Sequence, residues 1–251
     1  MSARLASRVA VGVAAILTLV GCDAMPGRPK PEHREVLPSQ VTEFRVLYGR
    51  HCAGCHGADG RLGAARSLND PVYLALAPPD RLRKIIAEGV PGTAMPPFAA
   101  GVGGALTDAQ IDAVVREMVA RWARPAEVKG ELPPYDAPAA VATGAGPGDP
   151  LRGQAVYARA CAPCHGPDGT GGEKGGSVVD ATYLALVSDQ ALRTAVIAGR
   201  TDLGMPDWRE DVPGQPLSPQ QISDVVAWLV SQRRPVEGRP VSTAGPGRPR
   251  P

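Results

Sequence analysis

The spacing of apolar residues predicts a mainly helical protein behind a short apolar leader. Residues 9–20 form an almost unbroken apolar run after Arg4 and Arg8. Such a run is too short to cross a bilayer as a helix, which needs about 20 residues, but it is typical of a secretory signal peptide. Farther along, apolar residues recur at intervals of three and four, which is the spacing of one face of an α-helix. We find no convincing strand-like alternation, so the predicted class is all-α.

Two segments of the chain, 42–124 and 148–234, repeat one another. Cys52 matches Cys161, 109 positions later, and the letters YLAL, which begin at Tyr73, recur 110 positions later. An offset that drifts so little indicates an internal duplication with single-residue insertions in loops, and its period is far too long for a solenoid. The sequence therefore predicts two tandem domains.

Three helices are predicted in each copy. The first leads into a cysteine pair, over 42–51 and 150–160, and the middle one covers 79–88 and 189–198. The last begins at a capping pattern, a Thr or Ser with Gln three positions later, and carries apolar residues at helical spacing. These positions are Thr107, Gln110, Ile111, Val114, Val115, Met118, Val119 and Trp122 in the first copy, and Ser218, Gln221, Ile222, Val225, Val226 and Leu229 in the second.

The segments outside the two copies have the composition of connecting and terminal regions. Prolines are frequent in 22–41 and 125–147, and residues 235–251 are rich in Gly, Pro and Arg. We expect a semi-extended tether, a linker and a disordered tail, respectively. The predicted organisation is a signal peptide at 1–21, a tether at 22–41, a first domain at 42–124, a linker at 125–147, a second domain at 148–234 and a tail at 235–251.

The composition indicates that something other than side chains helps to fill the two cores. Aromatic residues make up 4% of the chain, which also contains 30 Gly and 27 Pro. A domain of about 85 residues with so few rings buries little apolar surface, and such domains commonly depend on a metal, a cofactor or disulfides.

Four of the five cysteines form Cys-x-x-Cys pairs, each followed at once by His. Cys-x-x-Cys-His is the attachment signature of a c-type haem. Two thiols on one helical turn add across the two vinyl groups of the porphyrin, and the following His lies under the iron. A redox dithiol or half a zinc site is the alternative for a single pair, but two pairs in a duplicated helical domain favour two haem c groups. The pairs are Cys52 with Cys55, before His56, and Cys161 with Cys164, before His165.

With these motifs, both copies resemble class I cytochrome c domains over nearly their whole length. The resemblance implies one haem wrapped by helices in each domain. In that family a Met from a later loop is the sixth iron ligand, and Met95 and Met205, each followed by Pro, lie at matching places. The resemblance therefore implies that His56 and Met95 ligate the first iron, and that His165 and Met205 ligate the second.

Two further histidines and one further methionine are not expected to bind iron. His51 is held beside Cys52 and should not reach the far face of its own haem, and His33 lies in the tether. We expect both imidazoles to be solvated. Met118 lies on the apolar stripe of a helix, where filling the core is the simpler interpretation.

The first copy departs from the family at one helix crossing. In the family a small residue of the first helix lies close to an aromatic residue of the last helix, and Gly153 with Trp228 fits that pattern. In the first copy the matching positions are Phe44 and Glu117. We expect Phe44 and Trp122 to form this contact instead.

The fifth cysteine, Cys22, ends the stretch Leu-Val-Gly-Cys, which resembles the lipobox of bacterial lipoproteins. In that family the chain is cut before the Cys, which is then lipidated. An ordinary secretory signal with a stray thiol is the alternative. Asp23 resembles the residue that retains enterobacterial lipoproteins at the inner membrane. The expected location is the periplasmic side of the cell membrane, anchored by lipid, at the inner rather than the outer membrane.

Charge gives no reason to expect a nucleic-acid partner. Without Arg4 and Arg8 of the predicted leader, the chain carries 25 basic and 25 acidic side chains. A nearly neutral chain lacks the basic excess that nucleic-acid binding requires.

The predicted function is electron transfer. Ligation by His and Met fills both axial positions of the iron and raises its potential relative to two histidines. We therefore predict an electron carrier for respiratory or dehydrogenase partners, such as an oxidase, a quinol-oxidising complex or a dehydrogenase. The alternative is a catalytic dihaem enzyme, peroxidase-like or thiosulfate-oxidising, in which one axial ligand is displaceable.

Overall fold

Helices joined by loops make up the described chain. The computed structural model describes residue 30 and residues 35–210 and 214–235. Among these residues the regular structure is helical, and extended backbone pairs in two isolated bridges. The predicted all-α class is confirmed.

The chain divides into two units, Met1–Gln40 and Val41–Pro251. In the first unit the described residues include a short 3-10 helix, Pro38–Gln40. The predicted signal peptide and Cys22 lie outside the described residues, as do residues 236–251. Both predicted domains fall within the second unit.

The helices of the first copy follow the predicted order, with two short helices added. One short helix spans the end of the Cys-x-x-Cys-His motif and the other includes the YLAL letters. The helices are α1 (Phe44–His51), α2 (Ala53–His56), α3 (Pro71–Leu76), α4 (Pro79–Glu88) and α5 (Asp108–Trp122).

The second copy repeats this order after a helix that the linker composition did not predict. That linker helix is α6 (Ala137–Ala142). The helices of the second copy are α7 (Pro150–Ala160), α8 (Ala162–His165), α9 (Ala181–Leu186), α10 (Asp189–Ala198) and α11 (Pro219–Ser231).

The predicted helix starts are largely confirmed because the capping side chains act as expected. Thr107 and Gln110 form a reciprocal capping box at α5, and Ser218 and Gln221 form the same box at α11. Each box satisfies two backbone N–H groups that a helix start leaves without partners. The middle helices and α7 have the predicted bounds, whereas α1 begins at Phe44, two residues later than predicted.

In the second copy the first and last helices cross at Gly153. A Cβ atom at Gly153 would lie 2.0 Å from the Asp224 carbonyl oxygen and 2.8 Å from the Trp228 Cβ. The Tyr157 ring stacks on the Trp228 ring at 4.1 Å between centroids. The absence of a side chain on Gly153 therefore lets α7 and α11 approach closely enough for this stacking.

In the first copy Trp122 packs against the first helix, as Trp228 does in the second copy. The Trp122 ring meets Phe44 edge to face, with centroids 5.5 Å apart, and Tyr48 in the same way at 5.2 Å. A Cβ at Gly60 would lie 2.8 Å from the Trp122 ring, and the matching glycine of the second copy lies against Trp228. The predicted Phe44–Trp122 contact is confirmed.

The predicted linker, 125–147, packs against the domains that it joins. Helix α6 contacts α11. The Arg193 guanidinium, on α10, donates to the Pro134 carbonyl at 2.9 and 3.2 Å. Arg81, on α4, lies 3.5 Å from the Asp136 carboxylate. Polar contacts from both copies thus hold the linker in place.

Candidate functional site

Each Cys-x-x-Cys-His motif is folded into one helical turn at the end of the first helix of its copy. The Cys52 N–H donates to the Tyr48 carbonyl at 2.8 Å, and the His56 N–H donates to the Cys52 carbonyl at 3.0 Å. The second copy repeats these bonds around Cys161 at 2.8 and 2.9 Å. This turn brings both cysteines and the histidine of a motif close together, as attachment of one haem requires.

A backbone carbonyl orients each of the two histidine rings. His56 Nδ1 lies 2.7 Å from the Arg66 carbonyl oxygen, and His165 Nδ1 lies 2.7 Å from the Gly176 carbonyl oxygen. A carbonyl oxygen accepts but does not donate, so Nδ1 carries the proton in both rings. Nε2 is then left with a free lone pair, and it is the nitrogen that can bind a metal.

A tyrosine hydroxyl holds the residue that follows each histidine. Tyr48 donates to the Gly57 carbonyl at 2.9 Å, and Tyr157 donates to the Gly166 carbonyl at 2.7 Å. Both glycines have positive φ, 84° and 80°, a conformation that favours glycine. The chain can therefore turn sharply after the histidine and return to supply the carbonyl that orients its ring.

The two predicted methionine ligands occupy equivalent loops. Each loop passes close to the glycine at the end of the middle helix. A Cβ atom added to that glycine would overlap the backbone of the loop. At Gly89 that Cβ would lie 2.7 Å from the Met95 carbonyl oxygen, and at Gly199 it would lie 2.6 Å from the Met205 carbonyl oxygen. Met95 and Met205 are both half-buried. The two loops thus place both sulfur-bearing residues in the same way in the two copies.

The environment of Cys52 does not suit a redox dithiol. Burial, and then the neighbouring Cys55, raise the pKa of the Cys52 thiol to about 11. A dithiol that exchanges electrons relies instead on a thiolate with a lowered pKa. None of the four described cysteines is joined in a disulfide, and Cys52 and Cys161 pack against the hydrophobic core. Among the described residues, no group of three or more His, Cys, Asp or Glu side chains could hold a metal ion.

Met118, His51 and His33 were not expected to bind iron, and the structure describes the surroundings of the first two. Met118 is buried in the core at 1% exposure, which confirms its assignment as core filler. His51 is half-buried rather than fully solvated and lies edge to face with Phe98 at 6.1 Å between centroids. His33 lies outside the described residues.

This set of donors fits a haem c in each copy. Each copy offers two cysteines on one turn that are not joined in a disulfide, an imidazole whose Nε2 is left for a metal, and a methionine on a loop that lies against the end of the middle helix. A family model described as cytochrome c oxidase, cbb3-type, subunit III matches residues 39–116 and 148–229. The chain belongs to this family. It is a dihaem c-type cytochrome, and the two matched segments bind two haem c groups and carry electrons.

Two curated relatives of this cytochrome are longer proteins. Over 210 residues it is 30% identical to a cbb3-type cytochrome c oxidase subunit CcoP of Rubrivivax gelatinosus, across 80% of this chain and 58% of that subunit. Over 70 residues it is 44% identical to a dihydro-heme d1 dehydrogenase of Pseudomonas aeruginosa, across 28% of this chain and 13% of that enzyme. The cytochrome therefore spans little more than half of the first relative and a small part of the second.

One solved structure aligns with most of the cytochrome. It belongs to a reducing HAO-like protein complex of Kuenenia stuttgartiensis, and it aligns over 80% of this chain and 100% of its own at 16% identity and a TM-score of 0.43. That likeness is too distant to support a functional argument. Within the part of the cytochrome that the structure describes, no helix has the length and apolar character needed to cross a membrane.

Several residues that shape the two sites were missed by the sequence reasoning. They are the Arg66 and Gly176 carbonyls, which orient the histidines, and the Tyr48 and Tyr157 hydroxyls. Tyr48 and Tyr157 match in the repeat, and so do Arg66 and Gly176, which are 110 positions apart. The match of Tyr48 with Tyr157 is a signal in the sequence, whereas the residue types Arg66 and Gly176 give no sign that their backbone carbonyls orient the histidines.

Proposed function

We propose that each copy holds one haem through its own cysteine pair, with one histidine and one methionine as the axial iron ligands. The observation that carries the proposal is the pair of hydrogen bonds, 2.7 Å in both copies, that turn His56 and His165 to present Nε2. The proposed attachment residues are Cys52, Cys55, Cys161 and Cys164, and the proposed ligands are His56 with Met95 and His165 with Met205.

The surrounding residues would keep the two centres fixed during electron transfer. A haem held by His and Met supplies an iron that changes its oxidation state by one electron with both axial positions filled. The Arg66 and Gly176 carbonyls keep the imidazole rings from rotating, and Gly89 and Gly199 let the methionine loops lie close against the middle helices. Little needs to rearrange when the charge changes, which suits an electron carrier better than a substrate-binding enzyme.

We propose further that the cytochrome carries single electrons between respiratory or dehydrogenase partners on the periplasmic side of the cell membrane. One relative is an oxidase subunit, which supports a partner of that class. The leader pattern supports lipidation at Cys22 and attachment to the inner membrane.

Fractionation of native membranes tests the anchor and the partners together. The wild-type cytochrome should be found in the membrane fraction, and the Cys22→Ser variant should not be lipidated and should lose that attachment. After solubilisation in mild detergent, a C-terminal tag should recover the cytochrome together with oxidase, quinol-oxidising or dehydrogenase subunits. A wild-type protein found entirely in the soluble fraction would contradict the anchor, and recovery of the cytochrome alone would favour a free carrier.

A further inference from the structure

A partly buried ion pair of the second domain bonds to the first domain. Arg200 Nε lies 3.0 Å from the Asp202 carboxylate, and the two side chains are 17% and 1% exposed. The Leu62 N–H donates to Asp202 Oδ2 at 2.8 Å, and Arg200 Nη2 donates to the Gly63 carbonyl at 2.9 Å. Both partners of the ion pair thus bind the backbone of the other domain.

A third hydrogen bond extends the same contact. The Thr201 hydroxyl donates to Asp70 Oδ2 at 2.9 Å. The other carboxylate oxygen of Asp70 accepts from the Tyr73 N–H at 2.8 Å and so caps α3. Helix α3 of the first domain also packs against α10 of the second. The contact is therefore part of a continuous interface between the domains.

Both sides of this contact lead directly to a proposed iron ligand. Arg200 and Met205 exchange two backbone hydrogen bonds of 3.1 Å, which close the methionine loop of the second domain. On the other side, the loop from Leu62 leads to Arg66, whose carbonyl orients His56. The methionine loop of one domain is thus docked on the histidine loop of the other.

Comparison of the two copies indicates that this ion pair is not needed to build a methionine loop. The first copy has Val90, Pro91 and Gly92 where the second has Arg200, Thr201 and Asp202. Its loop still closes, because the Val90 N–H donates to the Met95 carbonyl at 3.0 Å. The three residues that the first copy lacks are those whose side chains bond to the other domain.

The backbone of the first domain is also adapted to the contact. Among the described residues, Leu62 is the one non-glycine residue with positive φ, at 62°. The matching position of the second copy is Gly171, where a positive φ carries little strain. Leu62 holds this less favourable conformation where its N–H meets Asp202.

We propose that Arg200, Thr201 and Asp202 form an interdomain latch that fixes the distance between the two haem centres and so sets the rate of electron exchange between them. This proposal rests on the proposed function. In the exchange one iron(II) is oxidised to iron(III) while the other iron(III) is reduced to iron(II), and no further reactant is consumed. These three are positioning residues, since they act through the two ligand loops.

The test uses the full-length holoprotein and takes its substitutions from the first copy. The triple variant Arg200→Val, Thr201→Pro, Asp202→Gly removes the side-chain bonds of the latch and leaves residues that already build a methionine loop at Met95. A matched control, Asp112→Asn, breaks the ion pair of Asp112 with Arg83 inside the first domain. Hydrogen exchange of residues 58–66 reports whether the two domains are docked. Photoinduced reduction of one haem reports the rate of electron exchange between the two haems.

In the triple variant we expect faster hydrogen exchange of residues 58–66. Electron exchange between the domains should become slower by about tenfold or more, since the variant lacks the hydrogen bonds to charged groups that hold the docked state. Both haems should stay inert to carbon monoxide, and the control should match wild type in both readouts. The latch proposal would be overturned if the protection of residues 58–66 from hydrogen exchange did not change. It would also be overturned if hydrogen exchange became faster while the electron-exchange rate stayed the same. Carbon monoxide binding to reduced wild-type protein would instead contradict the proposed function, so the two failures are distinguishable.

Discussion

Replacing Phe44 with alanine tests how the first domain holds its two terminal helices together. The Phe44 side chain is 6% exposed, and its ring contacts Tyr48, Trp122 and the Arg121 guanidinium. Truncation of a buried Phe costs about 3–5 kcal/mol, of which aromatic contacts contribute about 0.5–1.5 kcal/mol. Because 1.4 kcal/mol is a factor of ten, the first domain should open about a hundredfold to several thousandfold more often.

Hydrogen exchange resolved by peptide is the appropriate assay because it reports on each domain separately. Exchange of α1 and α5 should accelerate strongly in the Phe44→Ala variant, whereas α7 and α11 should change much less. Acceleration of less than about fivefold in α1 and α5 would refute the reasoning, since it would mean that the Phe44–Trp122 contact contributes little. Acceleration of equal size in both domains would show that the domains unfold as one unit.

Three further predictions concern the second domain. Gly153→Ala should destabilise it by about 1–3 kcal/mol in denaturant unfolding, because the added Cβ would overlap the Asp224 carbonyl; an unchanged midpoint would contradict the close helix contact. Burial pushes the pKa of Asp224 up, but hydrogen bonds from Arg152, from the Asp149 N–H and from Gln220 outweigh it and hold the pKa below its usual value. Asp224 therefore stabilises the fold above about pH 4 and loses this effect as the pH falls through its folded pKa. Unfolding at a series of pH values should show Asp224→Asn less stable than wild type at pH 6, with a gap that narrows in acid; a constant gap would contradict this assignment. Tyr157→Phe should cost about 1 kcal/mol by the same assay, since it removes the hydrogen bond to Gly166; no loss of stability would contradict that role.

The repeat and the capping residues made most of the fold predictable. Helices α5 and α11 start where Thr107 and Ser218 predict, because a side-chain cap is a local interaction that the sequence itself displays. The short helix α6 was not predicted, although Asp136 caps it, because it is also stabilised by packing against α11, which lies far along the chain. Tertiary contacts of this kind leave little trace in a proline-rich segment.

The candidate site was predictable in its chemistry but not in its supporting bonds. The Cys-x-x-Cys-His motif predicts which residue types lie together. The carbonyl that orients His56 belongs to the backbone of Arg66, and the type of side chain at that position does not predict this role. The interface between the domains was equally hidden. Arg200 and Asp202 are close in sequence and would ordinarily be taken as a surface ion pair. Their role depends on how two folded domains meet, which local patterns do not encode.

Carbon monoxide added to the chemically reduced protein tests the central claim most directly. If His and Met fill both axial positions at each iron, the wild-type spectrum should not change at either haem. The variants Met95→Ala and Met205→Ala should then each acquire one haem that binds carbon monoxide. Binding at one haem of the wild-type protein would contradict the account and favour a catalytic dihaem enzyme. A variant that stays inert would show that its methionine is not the ligand.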